Sequence, residues 1–162
     1  MASHIFPNPD HDHHHCAAEI IASAEIQCRQ GNARLTEHRK QVLCILADVH
    51  NPLGAYEILD RFKLADGNRP APAIIYRALD FLMQHGLVHK IERLNAFTAC
   101  THAGEDHQVQ FLICTNCQAI AEIADPAIDD VLFKGAQSVG FAITNPVVEI
   151  EGLCPNCQTE TV

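Results

Sequence analysis

Cys114-Thr-Asn-Cys117 and Cys154-Pro-Asn-Cys157 repeat one spacing at two points of the chain, with 36 residues between them. A CxxC turn presents two thiolates on one side. Two such turns supply four sulfurs, the ligand set of a closed, tetrahedral structural zinc site. The alternatives are thioredoxin-like redox pairs and disulfides. A redox pair belongs at the start of a helix, whereas each of these turns follows a strand-like run and neither opens an evident helix. Structural zinc is therefore the expectation. A site closed by four thiolates keeps no position for a reacting water, and the sequence has no His-x-Glu or HExxH pattern. Zinc hydrolase and deaminase chemistry is excluded on those grounds.

Other residues of metal-binding type are dispersed. His89, Cys100, His107 and Glu122 fall on two strand-like segments, a loop and a third strand, with His102 close enough to compete. Taken singly they read as a surface histidine, a buried thiol, a loop histidine and a solvated carboxylate. Their interest is position, because they straddle the junction between two differently composed halves. The N-terminus carries His4, His11, His13, His14, His15 and Cys16 among Pro, Asn and Asp. It reads as a solvated tail, or alternatively as a weak metal-collecting site.

The 162 residues carry a formal charge of −9, unevenly spread. From Ala17 to Lys90 nine Lys or Arg face eight Asp or Glu, and from Ile91 onward two face ten. An acidic second half repels nucleic acid, so any DNA contact falls to the first. No apolar run is long enough for a membrane span, and the N-terminus lacks the pattern of a secretory signal. A cytoplasmic location is expected, where eight cysteines point to metal rather than to bridges.

The elements that must position these residues follow from periodicity. A helix is expected over 17–30, with Ile20, Ile21, Ala24 and Cys28 on one side. A second opens at Thr36 and buries Val42, Ile45, Leu46 and Val49. "NPLG" breaks it, and a short third helix over 56–64 turns Ile58, Leu59 and Phe62 inward. The fourth, roughly 73–85, buries Ile75, Leu79, Leu82 and Met83 and ends at Gly86. "LVHKIE" and "AFTAC" then alternate as a hairpin joined by "RLN". Helices closed by a hairpin suggest a winged helix-turn-helix, its fourth helix reading the major groove with Tyr76 and Arg77. Further on, "VQFLIC" and "AIAEIA" read as strands, 126–140 as a helix, and "FAITNPVVEIEG" as a long strand interrupted by Pro146.

"RLTEHRKQVL", "YRALDFLMQHGLVHKIE", the two CxxC turns and the "GL" before the second together resemble the ferric uptake regulator family, in its zinc-sensing branch. The similarity covers about residues 17–158. It implies an α+β chain: an N-terminal winged helix-turn-helix domain followed by a small α/β dimerisation domain with a four-cysteine zinc site. It implies a homodimer on a palindromic double-stranded DNA operator, with pairs of dimers on DNA as a further arrangement. Matched by motif, Cys114, Cys117, Cys154 and Cys157 hold structural zinc, and His89, Cys100, His107 and Glu122 form a regulatory zinc site. Tyr76 and Arg77 match base-reading residues. The dense histidine run of the iron-sensing members is absent, and no histidine follows His107. Two imidazoles, a thiolate and a carboxylate suit tetrahedral zinc.

The expectation is thus a zinc-responsive repressor of zinc-uptake genes, not an enzyme, with two zinc ions per protomer. Its organisation is a tail over 1–16, a DNA-binding domain over 17–100, a hinge over 101–108 and a dimerisation domain over 109–162. Arg34, Arg39 and Lys40 are expected to meet phosphates. The rival readings are an iron, manganese or peroxide sensor of the same family, and a zinc-storage protein.

Overall fold

The computed structural model describes residue 6, residues 13–101 and residues 109–159. His4, His11, His102 and His107, and most of the expected hinge, lie outside these described residues. The chain divides into two compact units: Asn8–Glu105, and Asp106–Val162 together with Met1–Pro7.

The first unit is built from α1 (His13–Gln30), α2 (Glu37–Ala47), α3 (Ala55–Arg61), α4 (Pro72–Gln84) and the hairpin β1 (Val88–Ile91) and β2 (Ala96–Ala99). Helix α1 begins at His13, inside the segment that the sequence assigns to a tail. Ala24 and Cys28 of α1 are buried, with Ile20 and Ile21 half-buried beside them. Helix α2 is central: α1, α3, α4 and β2 all pack on it. Its buried face is accordingly displaced from the expected stripe, and Val42, Leu43, Leu46 and Ala47 are buried while Ile45 and Val49 are only partly covered.

Helix α4 starts with Pro72 at its first turn, where a missing N–H costs nothing. Ile75, Ala78, Leu79 and Leu82 are buried; Met83 is half-buried. The helix stops at Gly86, whose φ of 63° is the left-handed conformation that glycine accepts readily. The N–H groups of Gly86 and Leu87 close onto the carbonyls of Met83 and Leu82 at 3.0 and 2.9 Å. The chain is thereby aimed straight into β1, which pairs antiparallel with β2, His89 opposite Thr98. Leu53, in the "NPLG" break, exchanges two backbone hydrogen bonds with Phe97 at 2.9 and 2.8 Å and adds a third segment to the wing.

The second unit contains β3 (Gln110–Cys114), β4 (Ile120–Ile123), α5 (Pro126–Ser138), β5 (Val148–Gly152) and the short α6 (Pro155–Thr159). Strand β3 is the middle of a three-stranded sheet, antiparallel to β4 and parallel to β5. Asp125 caps α5 by accepting from the Ala127 N–H at 2.9 Å. Gln110, buried at the start of β3, donates to Asp129 at 2.9 Å and so ties the sheet to the first turn of α5. The long strand expected over 141–152 is shorter, beginning only at Val148. Pro146 has no N–H to give the ladder and restricts the residue before it, so the chain bends there. None of the α5 side chains is buried, and Val131 is 70% exposed.

Candidate metal centre and DNA-reading helix

Strand β3 ends at Cys114 and the turn into β4 carries Cys117. Strand β5 lies parallel to β3, with Cys114 level with Gly152, and its continuation delivers Cys154 and Cys157 to the same end of the sheet. The four sulfurs lie within 4.8 Å of one another. Cys117 Sγ and Cys154 Sγ are 3.7 Å apart. Four sulfurs at about 2.3 Å from a zinc ion at the centre of a tetrahedron stand about 3.8 Å apart. The residues therefore fit zinc, and no disulfide joins them.

The second turn departs from the expectation that neither opens a helix, since α6 begins at Pro155 between its two cysteines. A helix start lowers thiol pKa and is the setting of redox pairs. What decides against an isolated redox pair is the convergence of all four sulfurs, which periodicity does not reveal.

Hydrogen bonds link the two turns reciprocally. The Cys154 N–H donates to Cys114 Sγ at 3.4 Å, and Asn116 Nδ2 donates to Cys157 Sγ at 3.3 Å. Burial pushes the Cys114 thiol up, but N–H donation from Cys117, Cys154 and Asn116 outweighs it and holds the group at about 6. Burial and the neighbouring sulfurs push Cys117 up to about 12. The cluster thus favours one thiolate first and resists the next, as close like charges do. Phe6 packs against the cluster. Neither Asn116 nor Phe6 was singled out from the sequence. The one available signal was that both turns place Asn immediately before their second cysteine.

In the wing of the first unit, His89 on β1 and Cys100 just after β2 are brought together. A ring nitrogen and the sulfur come within 4.8 Å. The backbone holds this pairing, because the Cys100 N–H donates to the Leu87 carbonyl at 3.0 Å. Cys100 is buried and His89 half-buried. Glu122 is half-buried on β4 of the second unit, opposite Phe111 in the ladder.

Tyr76 and Arg77 sit on the outer side of α4, away from Ile75 and Leu79. Tyr76 is 45% exposed, enough to present its ring to a partner. Arg77 folds its Nε back to the Ala73 carbonyl at 3.2 Å. Arg34 is exposed. Arg39 is held internally, donating to the Arg34 carbonyl at 2.6 Å and lying over the Phe81 ring. Lys40 pairs with Glu25 of α1 at 2.7 Å, which raises the lysine pKa and lowers that of the carboxyl.

The ferric uptake regulator family model matches residues 30–151, three quarters of the chain including both the wing and the first CxxC turn. The chain belongs to the ferric uptake regulator family. It is 36% identical over 140 residues to the zinc uptake regulation protein of Escherichia coli strain K12, covering 86% of this chain and 81% of that one. A solved zinc uptake regulator complexed with zinc and DNA superposes with a TM-score of 0.82 at 35% identity, covering 90% of this chain and 98% of the other. Holo XcZur gives a TM-score of 0.80 at 39% identity, with 87% and 98% covered. Like the family as a whole, this member is a regulator and not an enzyme. Among the described residues no helix is long and apolar enough to cross a membrane.

Proposed function

We propose that this member of the family is a zinc-responsive, DNA-binding transcriptional repressor of zinc-uptake genes, working as a cytoplasmic homodimer with zinc as co-repressor. The observation that carries the reading is the meeting of His89 and Cys100 in the wing, one soft thiolate beside one imidazole next to a helix that exposes Tyr76 and Arg77. With His107 and Glu122 they would complete a four-ligand set of the type zinc prefers. The relatives support it, being named for zinc uptake regulation and, in one structure, complexed with zinc and DNA.

The four cysteines would hold a structural zinc, making two ions per protomer. The domain limits follow those expected above, with α1 opening the winged helix from His13 instead of residue 17: a winged helix to residue 100, a connection over 101–108 and a dimerisation domain over 109–162. Arg77 and Tyr76 would read bases of a palindromic operator, and Arg34 and Lys40 are the phosphate candidates, whereas Arg39, engaged with the Phe81 ring and the Arg34 carbonyl, would brace the fold. Zinc at the second site acts by population shift: it favours the conformations that present two reading helices at once, and DNA in turn tightens zinc.

The test is an operator-binding titration against buffered free zinc, repeated with iron and manganese. Binding should switch on with zinc at lower free concentration than with the other two. A switch set by iron, manganese or peroxide would transfer the protein to another branch of the family. Zinc uptake with no change in DNA binding would make it a storage protein.

A further inference from the structure

A zinc ion bound by four thiolates leaves a site of net charge about −2, and this one belongs to the acidic half of the chain. Lys134 is the sole Lys or Arg after Arg93 in the sequence, and it pairs with Asp130 on α5 at 3.4 Å. Offsetting the charge at the sulfurs therefore falls to neutral N–H dipoles. Two are in place. The backbone N–H of Cys154 serves Cys114, and the side chain of Asn116 serves Cys157.

These bonds differ in what a substitution can remove. The first belongs to the main chain. The second belongs to an exposed side chain that packs in no core. It also spans 41 positions of sequence, joining the β3–β4 turn to α6. Helix α6 runs only Pro155–Thr159 and has no basic residue in its last turn to steady it. Cys157 is thus a sulfur carried on a short element, and the Asn116 carboxamide ties it to the β3–β4 turn.

We propose that Asn116 is a positioning residue of the four-cysteine site: by donating to Cys157 Sγ it orients that sulfur, draws charge from it and slows loss of the metal. This rests on the reading of the cluster as a zinc site. Groups that hydrogen-bond metal ligands commonly change metal affinity by about 10–100-fold when removed. Asn116→Leu keeps the size and loses the donor. Asn116→Asp keeps the shape and replaces the donor with a carboxylate facing thiolates.

Zinc-loaded full-length protein is mixed with a chromophoric chelator, and the slower phase of release is followed. Cobalt-substituted protein gives the sulfur-to-cobalt charge-transfer band as a second readout. Release should quicken about tenfold or more in both variants, most in Asn116→Asp. The band should move to lower energy, because a sulfur without its hydrogen bond is the better electron donor. Wild-type rates and an unmoved band in both variants overturn the proposal. Faster release with an unmoved band overturns it too, since that marks lost packing rather than a lost donor. A wild-type protein that gives no four-thiolate cobalt spectrum overturns the zinc reading itself, and the role of Asn116 with it.

Discussion

The guanidinium carbon of Arg39 lies 3.5 Å from the centre of the Phe81 ring. His85 stacks on the same ring, centroids 4.0 Å apart, so the two groups occupy opposite faces. The His85 carbonyl in turn accepts from Gln27 Nε2 at 2.7 Å. Arg39 on α2, Phe81 and His85 on α4, and Gln27 on α1 therefore form one bracket behind the reading helix. Arg39→Ala should lower stability by about 0.5–2 kcal/mol, and Arg39→Lys should restore little of it because lysine lacks the planar face. Operator affinity should fall in both while its dependence on salt stays that of the wild type. A slope reduced by about one unit would instead place Arg39 on a phosphate.

Lys40 gives the opposite expectation. It is held by Glu25 at 2.7 Å, so DNA must compete with a carboxylate for it. Glu25→Gln should free it, tightening binding to random DNA and steepening the salt dependence. Lys40→Ala should weaken operator and random DNA alike. Arg77→Ala should cost about 1–3 kcal/mol on the operator and little on random DNA. Three variants on two DNAs across a salt series separate these roles. Equal loss on both DNAs for Arg77→Ala would remove α4 as the base reader.

Zinc binding at the four cysteines should release protons, and in a pH-dependent number. The Cys114 thiol, held at about 6, is already ionised at neutral pH, whereas Cys117, pushed up to about 12, is not. As pH falls through about 6, Cys114 becomes protonated as well, and metal must displace about one proton more. Apparent zinc affinity should therefore drop more steeply below that pH. Calorimetry in buffers of different ionisation enthalpy counts the protons, and a count that stays constant between pH 5 and pH 8 would contradict the ordering.

Cys100→Ser should leave a folded dimer with its structural zinc and abolish zinc-dependent operator binding, since the softest ligand is lost. Cys114→Ser should instead impair folding or dimerisation. Metal content by mass spectrometry alongside operator binding tells the two apart. Normal switching by Cys100→Ser at low free zinc would dissolve the regulatory assignment.

Much of this was legible in the sequence, for reasons that differ by element. Ile75, Leu79 and Leu82 announce α4 because they share one face at helical spacing and a glycine stops the helix. Helix α2 was harder, since burial from several sides replaces Ile45 and Val49 by Leu43 and Ala47 in the covered set. Pro146 marks an interruption in the sequence, but its effect in ending the strand altogether depends on ladder partners that periodicity ignores. The pairing of the CxxC turns follows from spacing. The bond from Asn116 to Cys157 does not, because it depends on which loop of one turn faces the other. The engagement of Arg39 and Lys40 inside the fold was equally hidden, as a charge in a sequence reads as solvated until its neighbour is known.

Helix α5 buries none of its side chains within one chain, and Val131, Leu132 and Phe133 along it, with Val139 and Phe141 beyond, stand exposed. As the seam of the proposed homodimer, such a face would discriminate nothing about the state of the winged helix in the same chain. A chain damaged in α4 but sound in α5 should still recruit an intact partner and spoil its grip on a two-fold operator. In a cell making both in equal amounts, about one pair in four would remain wholly intact. Lesions in the reader are therefore expected to be genetically dominant, and lesions that unfold the cysteine cluster recessive.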